Sequence, residues 1–354
     1  MLVQARSADL AEALNQIQGD LCRAAHSGQF TSCAVGLQGG LHSAQAPPIA
    51  PPVDPALLAR AQKMKTPLSE DTVVRLLQMR VSSFPGPKVD PKKVSVYFGR
   101  NPMTRAILEW DEPVPAGAKR NHKYSYTEDF HERNAAEKWK RVQAFRPRMA
   151  AIRNDLRKKI KGNEVGSVQH QAATIAGIIA ETALRPDRSR GKAATGHFGT
   201  SSLRGEHVTV EDGVAHLNFV GKSGQDNKAI VEDPTTVRAI VALKKRAGSG
   251  PLFSTSPATA AALLPSGMKL KDMRTIIATE TAEKALRAFQ MPDPLPDDPE
   301  KLKKLIAKAY LAASQAVAKK LNNTPAVAKK SYIHPEVLNS WVREIGGGKL
   351  VATT

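Results

Sequence analysis

Several residue types that define whole classes of protein are scarce in this chain of 354 residues. Its two cysteines, Cys22 and Cys33, are too few for a disulfide framework or for a zinc site built from thiolates. No apolar run approaches the roughly 20 residues that a membrane helix requires, and none near the N-terminus is long enough for a signal peptide. We therefore expect a soluble, cytoplasmic protein with no membrane partner.

The sequence also lacks a phosphate-binding P-loop. Gly221-Lys222-Ser223 resembles the end of that motif, but His216 stands where the motif requires its first glycine. No carboxylate or cysteine stands at a convincing ligand spacing from His207 or His216. The sequence thus indicates neither an ATP site nor a metal site, and we expect no cofactor.

Negative charge is in short supply. The chain has 33 Asp and Glu residues against 52 Lys and Arg residues, a formal net charge of +19. Such an excess favours a polyanionic partner through counterion release and long-range steering. On charge alone, DNA, RNA and an anionic membrane all remain open. The length predicts two domains with an appendage.

The first 90 residues show no pattern that points to chemistry. Apolar residues at helical spacing predict a helix within residues 8–25, and a Gly-, Ala- and Pro-rich stretch from Thr31 to Pro55 predicts a linker. A second helix is predicted after Ser69. We assign residues 1–90 to an N-terminal extension of unknown function that contains this Pro/Gly-rich linker.

Residues 92–126 mix apolar residues with prolines and glycine and predict short strands. They end in Lys119–Tyr126, which interleaves cations with aromatic residues in a way that suits contact with phosphates and sugars. A charged strand edge that discourages aggregation explains this pattern equally well. We predict a β-rich DNA-clamping lobe over residues 91–150, with these candidate contacts: Lys123, Tyr124 and Tyr126.

The next segments predict helices that lead to a basic side chain. Apolar residues recur every three or four positions over residues 135–161, and Pro147 predicts a break in that helix. The apolar, Ala-rich run from Val168 to Leu184 predicts a buried helix that holds Arg185 rigidly at its end.

The periodicity then changes to that of strands. Alternating runs on either side of Asp212-Gly213 predict a β-hairpin, which puts Lys222 in a tight turn at the far end of its second strand. Helices are predicted over Thr275–Met291 and Glu300–Leu321. The second carries six lysines, most of which are expected to lie on a solvated face.

One tyrosine stands out near the C-terminus. Tyr332 is the only phenol in a basic segment that runs from Asn323 to Pro335. Because a tyrosine hydroxyl has a pKa of about 10, it attacks a phosphodiester usefully only where cations disperse the charge that develops on the phosphate. We predict that Tyr332 is a nucleophile and that its cations lie upstream.

Five segments in order resemble the bacterial and poxvirus-like type IB DNA topoisomerases. They are Leu184-Arg185, His197–Arg204, Gly221-Lys222-Ser223-Gly224, Lys271-Asp272-Met273-Arg274-Thr275 and Asn323–Pro335. The resemblance covers Leu184 to Pro335. It implies an α+β protein with a small β-rich N-terminal lobe and a mainly helical catalytic domain containing a β-hairpin, as in the type IB topoisomerases and tyrosine recombinases. The catalytic domain would span residues 151–354.

The resemblance implies relaxation of supercoiled duplex DNA without ATP or metal, through a 3′-phosphotyrosyl intermediate on Tyr332. Arg185 and Arg274 would neutralise the non-bridging phosphate oxygens, and Lys222 would protonate the leaving 5′-oxygen. Asn323, which stands where poxvirus members have His, would donate a hydrogen bond to a phosphate oxygen. Three further DNA-binding residues are predicted in this domain: Arg204, Lys271 and Lys330. The enzyme would act as a monomer clamped on DNA.

Two alternatives remain open. A tyrosine recombinase shares the fold, the nucleophile and both arginines, but recombinases usually have His three residues before the second arginine, where this chain has Lys271. A DNA-binding protein that keeps the fold without the activity is the other alternative. Against it stands the full set of Arg185, Lys222, Arg274 and Tyr332, because DNA binding alone does not need a phenol among cations.

Overall fold

The computed structural model describes residues 54–115, 120–187 and 196–345. These residues form two compact units that divide between Trp139 and Lys140. The helix predicted within residues 8–25 lies outside the described residues, as does all of the predicted linker except its last two positions. Helices and antiparallel sheets are both present, in agreement with the predicted α+β class. Among the described helices, none is long and apolar enough to cross a lipid bilayer.

The first unit combines two helices with a three-stranded antiparallel sheet. Its elements are α1 (Pro55–Gln62), α2 (Glu70–Gln78), β1 (Val94–Val96), β2 (Leu108–Glu112) and β3 (Asn121–Ser125), with strand order β1-β2-β3. The strands confirm the prediction for residues 92–126. Helix α2 begins after Ser69, whose hydroxyl accepts a hydrogen bond from the backbone N–H of Thr72. Leu76 of α2 and Trp110 of β2 belong to one buried cluster, so α2 packs with the sheet.

A long helix follows the sheet and crosses the division between the units. Helix α3 (Glu128–Phe145) and helix α4 (Met149–Gly162) are separated by a 3₁₀ turn, Arg146–Arg148. The predicted break near Pro147 is confirmed, because proline has no N–H for the helical ladder. The helix starts before the predicted residue 135. The division between the units also precedes residue 150, where the sequence placed the end of the β-rich lobe.

The remaining elements belong to the second unit. They are α5 (Val168–Thr182), β4 (Val208–Glu211), β5 (Val214–Val220), β6 (Asp226–Val231), α6 (Pro234–Ala247), α7 (Pro257–Ala262), α8 (Leu270–Ala288), α9 (Pro299–Leu321), α10 (Pro325–Ser331) and α11 (Glu336–Ile345). The predicted helices from Val168, Thr275 and Glu300 correspond to α5, α8 and α9. Helix α8 begins earlier than expected because Asp272 caps its first turn by accepting from the Lys269 N–H.

The predicted hairpin is present and has a third strand. Asp212 and Gly213 both have positive φ angles, 50° and 79°, as a two-residue turn between β4 and β5 requires. Strand β6 pairs with the other edge of β5, and it escaped prediction because it begins with three polar residues. Lys222 therefore lies in the connection between β5 and β6.

The core of the second unit fixes the two ends of the segment that carries Tyr332. Helices α8, α9 and α11 contribute to one buried cluster that includes Leu286, Val317 and Trp341. Burial of each large apolar side chain in such a cluster stabilises the fold by about 1.5–3 kcal/mol. Helix α9 precedes the segment and α11 follows it, so both of its neighbours are held in the same core.

Candidate active site

A cavity of about 730 Å³ brings together four of the five predicted catalytic residues. Arg185, Lys222, Asn323 and Tyr332 all line it, although they lie on four separate segments of the chain. The fifth, Arg274, lies beside Tyr332, with its Cζ atom 5.4 Å from the centroid of the phenol ring. The predicted constellation is thus a single site within the second unit.

Tyr332 is held by its backbone at the end of a short helix. Thr324 caps α10, and Pro325 occupies the first turn, where a missing N–H costs nothing. The Tyr332 N–H donates to the Ala328 carbonyl at 3.0 Å, and the Thr279 hydroxyl donates to the Tyr332 carbonyl at 3.4 Å. The next residue, Ile333, is buried. The phenol is therefore half-buried on an anchored backbone and faces the cavity.

Arg274 is fixed by the ends of two other helices. It is only 2% exposed, and its guanidinium donates to the Ala183 carbonyl and, at 3.5 Å, to the Leu321 carbonyl. These carbonyls belong to the last turns of α5 and α9, where unpaired C=O groups carry partial negative charge. The left-handed backbone of Ala183, with φ of 58°, ends α5 at this point. Arg274 Nε is buried without a hydrogen-bond partner in the described structure.

The two side chains perturb each other's ionisation. Burial raises the pKa of the Tyr332 phenol, but the positive charges of Arg274, Arg185 and Lys271 outweigh it, so the pKa lies below its usual value. Burial lowers the pKa of the Arg274 guanidinium, and nearby Arg185 acts in the same direction. An arginine remains protonated at neutral pH even so. The Tyr332 phenol therefore loses its proton more easily than a free tyrosine does, which would favour nucleophilic attack by its oxygen.

Arg185 and Asn323 form a pair at the cavity wall. Arg185 Nη2 donates to Asn323 Oδ1 at 2.6 Å. The Arg185 backbone is fixed because its carbonyl accepts from the Thr200 N–H at 2.9 Å and from the Thr200 hydroxyl at 3.1 Å. This approach requires Gly199, because a Cβ there would lie 3.0 Å from the Arg185 carbonyl oxygen. Asn323 Nδ2 is buried with no partner among the described residues, which leaves one N–H donor group unused.

Lys222 occupies a 3₁₀ turn, Lys222–Gly224, between β5 and β6. The turn is closed by a hydrogen bond from the Gly221 N–H to the Gln225 carbonyl at 2.7 Å. A Cβ at Gly221 would overlap the Asn227 amide, so a larger residue there would have to displace that side chain. Within the described part of the chain the Lys222 ammonium forms no ion pair, and the residue is exposed at the rim of the cavity.

The six predicted DNA-binding residues have different surroundings. Lys271 and Lys330 are exposed near the site, in the first turn of α8 and the last turn of α10. Arg204 is half-buried, and its Nε donates to Glu206 at 2.5 Å, which offsets its charge.

The other three lie in the first unit. Lys123 and Tyr124 are exposed on β3, and the Tyr124 ring meets His122 edge to face at 4.7 Å. Tyr126 is half-buried and stacks on Phe130 with centroids 4.2 Å apart. Packing thus accounts for part of the Tyr126 surface, while Lys123 and Tyr124 present theirs to solvent.

Several residues of the site were not singled out by the sequence. Phe198, Phe219 and Asn227 line the cavity, and so does Lys319, the only one of the six α9 lysines to do so in the described structure. The signal for Lys319 was its position four residues before Asn323, about one helical turn. No local pattern marks the others.

A buried ion pair supports the helix that carries Arg274. Arg141 of α3 donates to both oxygens of Asp272, with distances of 2.9 and 3.3 Å. Asp272 is only 1% exposed and also caps α8 through the Lys269 N–H at 2.9 Å. The pair therefore fixes the first turn of α8. Lys271 lies in that turn, and Arg274 follows directly after it.

Two comparisons with known proteins bear on this site. A family model described as the catalytic core of eukaryotic DNA topoisomerase I matches residues 127–349. The chain is also similar to the DNA topoisomerase 1B of Acanthamoeba polyphaga mimivirus, with 25% identity over 269 residues, which cover 70% of this chain and 75% of the viral protein. The residues matched by the family model include all five predicted catalytic residues, from Arg185 to Tyr332.

Proposed function

The chain belongs to the DNA topoisomerase I catalytic-core family and relaxes duplex DNA by the type IB mechanism. We propose that Tyr332 is the residue that cleaves the strand. The observation that carries the proposal is the position of its phenol beside Arg274, 5.4 Å from Cζ to ring centroid, at a cavity that Arg185, Lys222 and Asn323 also line. The finer fold assignment, to the type shared with tyrosine recombinases, belongs to the same proposal.

In the cleavage step the Tyr332 oxygen attacks phosphorus and the bond from phosphorus to the 5′-oxygen breaks. The product is a 3′-phosphotyrosyl link and a strand with a free 5′-hydroxyl. After rotation of the duplex, that hydroxyl attacks phosphorus and expels the phenolate. The energy of the phosphodiester is conserved in the covalent link, so relaxation needs no ATP.

We assign Arg274 and Arg185 to the non-bridging oxygens of the phosphate. Their fixed positive charges lower the pKa of Tyr332 in the free protein, and the same charges would stabilise the more negative phosphorane-like transition state. Because Arg274 is already held by two backbone carbonyls, it needs little rearrangement when DNA arrives. A guanidinium also presents paired N–H groups that match a phosphate.

Asn323 suits a double role at this position. Its Oδ1 atom already accepts from Arg185, while its buried Nδ2 group lacks a partner in the described structure. We propose that Nδ2 donates to a phosphate oxygen when DNA is bound. An amide is a neutral side chain that offers an acceptor for arginine on one atom and a donor for phosphate on another.

Lys222 is our candidate for the general acid. It is exposed on a turn with Gly221 before it and Gly224 at its end, and it lines the same cavity as the half-buried phenol. From there its ammonium would give a proton to the 5′-oxygen as that oxygen leaves. We also propose that the protein acts as a monomer in the cytoplasm. Six further residues are proposed to contact DNA: Lys123, Tyr124, Tyr126, Arg204, Lys271 and Lys330.

The proposal is tested by incubating the protein with supercoiled plasmid in EDTA without ATP. We expect relaxation of plasmids of either supercoil sign, and a covalent DNA adduct when the reaction is stopped with detergent. Tyr332→Phe should abolish both activities while binding duplex DNA nearly as well, since one hydroxyl is lost among many phosphate contacts.

Tyr310→Phe is the matched control, because it removes a phenol hydroxyl from the buried core of the same unit and should keep the activity. A covalent adduct formed by Tyr332→Phe would assign the nucleophile to another residue. Recombination between paired duplexes, with assembly of a tetramer on DNA, would instead favour a recombinase.

A further inference from the structure

Helix α9 exposes four lysines along one side, the last of which lies at the cavity. Lys301, Lys304, Lys308 and Lys319 are all exposed, and their spacing places them within one narrow sector of the helix surface. Leu311 and Gln315 fill the same sector between Lys308 and Lys319 and are also exposed. We call these four lysines the lysine stripe.

The opposite face of α9 is core. Ile306, Ala313 and Val317 are buried there, so the rotation of the helix about its axis is fixed and the stripe cannot turn inward. The two other lysines of the helix lie outside the sector. Of these, Lys303 lies 4.0 Å from Glu300. Among the described lysines of α9, Lys319 alone lines the cavity that holds Tyr332.

The stripe is electrostatically unfavourable for the isolated protein. Lys301, Lys304 and Lys308 are neighbours at spacings of three and four residues, at which like charges destabilise a helix. Lys301 and Lys304 also lie near the N-terminus of α9, where the helix dipole disfavours cations. Glu300 is the only acidic residue in the helix, and solvated helix faces usually carry both signs of charge. A polyanion would remove this repulsion.

The dimensions of the stripe fit duplex DNA. From Lys301 to Lys319 the helix extends about 27 Å at 1.5 Å per residue, which equals the length of about eight base pairs. The Lys319 end lies at the cavity, and the Lys301 end lies outside its lining, about five turns earlier in the helix. We propose that the lysine stripe binds the phosphates of the duplex on one side of the cleaved bond, an inference that rests on the cavity being the cleavage site.

The test compares two triple variants with equal loss of charge. Lys301→Gln/Lys304→Gln/Lys308→Gln removes the outer stripe and spares Lys319 at the cavity. Lys158→Gln/Lys161→Gln/Lys245→Gln removes three exposed lysines from α4 and α6. Each variant is titrated with a duplex of about 30 base pairs at several salt concentrations. The slope of log K against log salt should become shallower by up to about 2.7 for the stripe variant and change little for the control.

A second measurement separates this inference from the proposed cleavage chemistry. Single-turnover cleavage is followed on duplexes trimmed on one side or the other of the cleaved bond. When the duplex is trimmed to about three base pairs on the side that the stripe contacts, the stripe variant should bind and cleave as well as the unmutated protein does. The reason is that the phosphates bound by the stripe are then absent for both proteins. Thermal unfolding should show no loss of stability, since like-charge repulsion is reduced.

Equal salt slopes for the two triple variants, or a binding defect that persists whichever side is trimmed, would overturn the proposal. Failure of the unmutated protein to form a covalent adduct would contradict the cleavage chemistry instead. The two failures are therefore distinguishable.

Discussion

Arg274 and Lys222, the two cations that we propose act on one phosphate, have opposite surroundings. Arg274 is 2% exposed and donates to carbonyls at the ends of two helices. Lys222 is exposed on a three-residue turn with Gly221 before it and Gly224 at its end, and within the described structure it forms no ion pair. One cation is part of the core, and the other is carried by a surface turn.

The difference matches the two tasks that strand cleavage requires. Charge that develops on the phosphate is best stabilised by a group that does not have to move, because reorganisation would add to the barrier. A proton donor must approach the leaving oxygen closely only when the substrate is in place, and its hydrogen bond often forms only in that complex. A buried guanidinium suits the first task and an exposed ammonium suits the second.

The largest effect is expected from the buried cation. Arg274→Ala should lower the single-turnover cleavage rate by about 10³ to 10⁵, the range for an arginine that stabilises phosphoryl transfer. Arg274→Lys keeps a charge but cannot bond both helix ends, so we expect nearly the same loss. Binding of uncleaved duplex should persist in both. Circular dichroism identifies folded protein, and a folded Arg274→Lys that cleaves within tenfold of the unmutated rate would contradict a fixed bidentate role.

A smaller effect, about 10² to 10⁴ in cleavage rate, is expected from Lys222→Ala if Lys222 is a general acid. The loss should depend on the leaving group. A substrate with sulfur in place of the bridging 5′-oxygen expels a thiolate, which needs little protonation, so the variant should cleave it almost as fast as the unmutated protein.

Lys228→Ala serves as the control for this experiment, because Lys228 is an exposed lysine on β6 of the same sheet outside the cavity lining. It should leave both substrates unaffected. Equal slowness of Lys222→Ala on both substrates would mean that Lys222 positions DNA or neutralises phosphate, and Arg185 would become the candidate acid.

The smallest effect is expected from Arg141, whose ion pair with Asp272 supports the helix that carries the buried Arg274. Arg141→Ala leaves the Asp272 carboxylate buried without its cation, which should displace the first turn of α8 and with it Arg274. We expect a ten- to hundredfold loss of cleavage rate, the scale of a small misplacement. Because Arg274 helps to lower the pKa of Tyr332, the rise of rate with pH should also move to higher pH.

Arg146→Ala is a matched control. Arg146 donates to Glu283 at 2.7 Å, and Glu283 lies nine residues beyond Arg274 on α8, about 13 Å along the axis. This variant should lose some stability but keep the pH profile. Arg141→Met combined with Asp272→Asn removes the unpaired charge and should recover much of the activity. An unchanged pH profile in Arg141→Ala would reduce the pair to a purely structural role.

Four of the residues that line the cavity could be picked out from the sequence because they lie in short motifs. Arg185, Lys222, Asn323 and Tyr332 each follow a recognisable element end, and those ends meet at one cavity. The Arg141–Asp272 pair could not be predicted, since the two residues are 131 positions apart. Asp272 lies in the Lys271–Thr275 segment, but nothing in that segment points to Arg141. Tertiary packing alone brings such residues together.

Elements were missed for local reasons. Strand β6 opens with Asp226, Asn227 and Lys228, which are poor strand formers, and it is stabilised by pairing with β5. Helices α10 and α11 are short, and α11 depends on burial of its apolar face against α8 rather than on its own propensity. Periodicity identified the helices over residues 135–161 because their apolar stripe spans several turns.

The hydrogen bonds of Arg274 also tie the chemistry to the completion of the fold. Its two acceptors lie 91 residues before it and 47 residues after it, and Tyr332 follows 58 positions downstream, as the printed sequence shows. No short piece of the chain contains all of these groups, and contacts so distant in sequence form only when the segments between them have been brought together. A chain that is only partly folded between Ala183 and Tyr332 therefore carries the phenol without the buried guanidinium beside it. On the role proposed for Tyr332, such a chain should not cleave DNA.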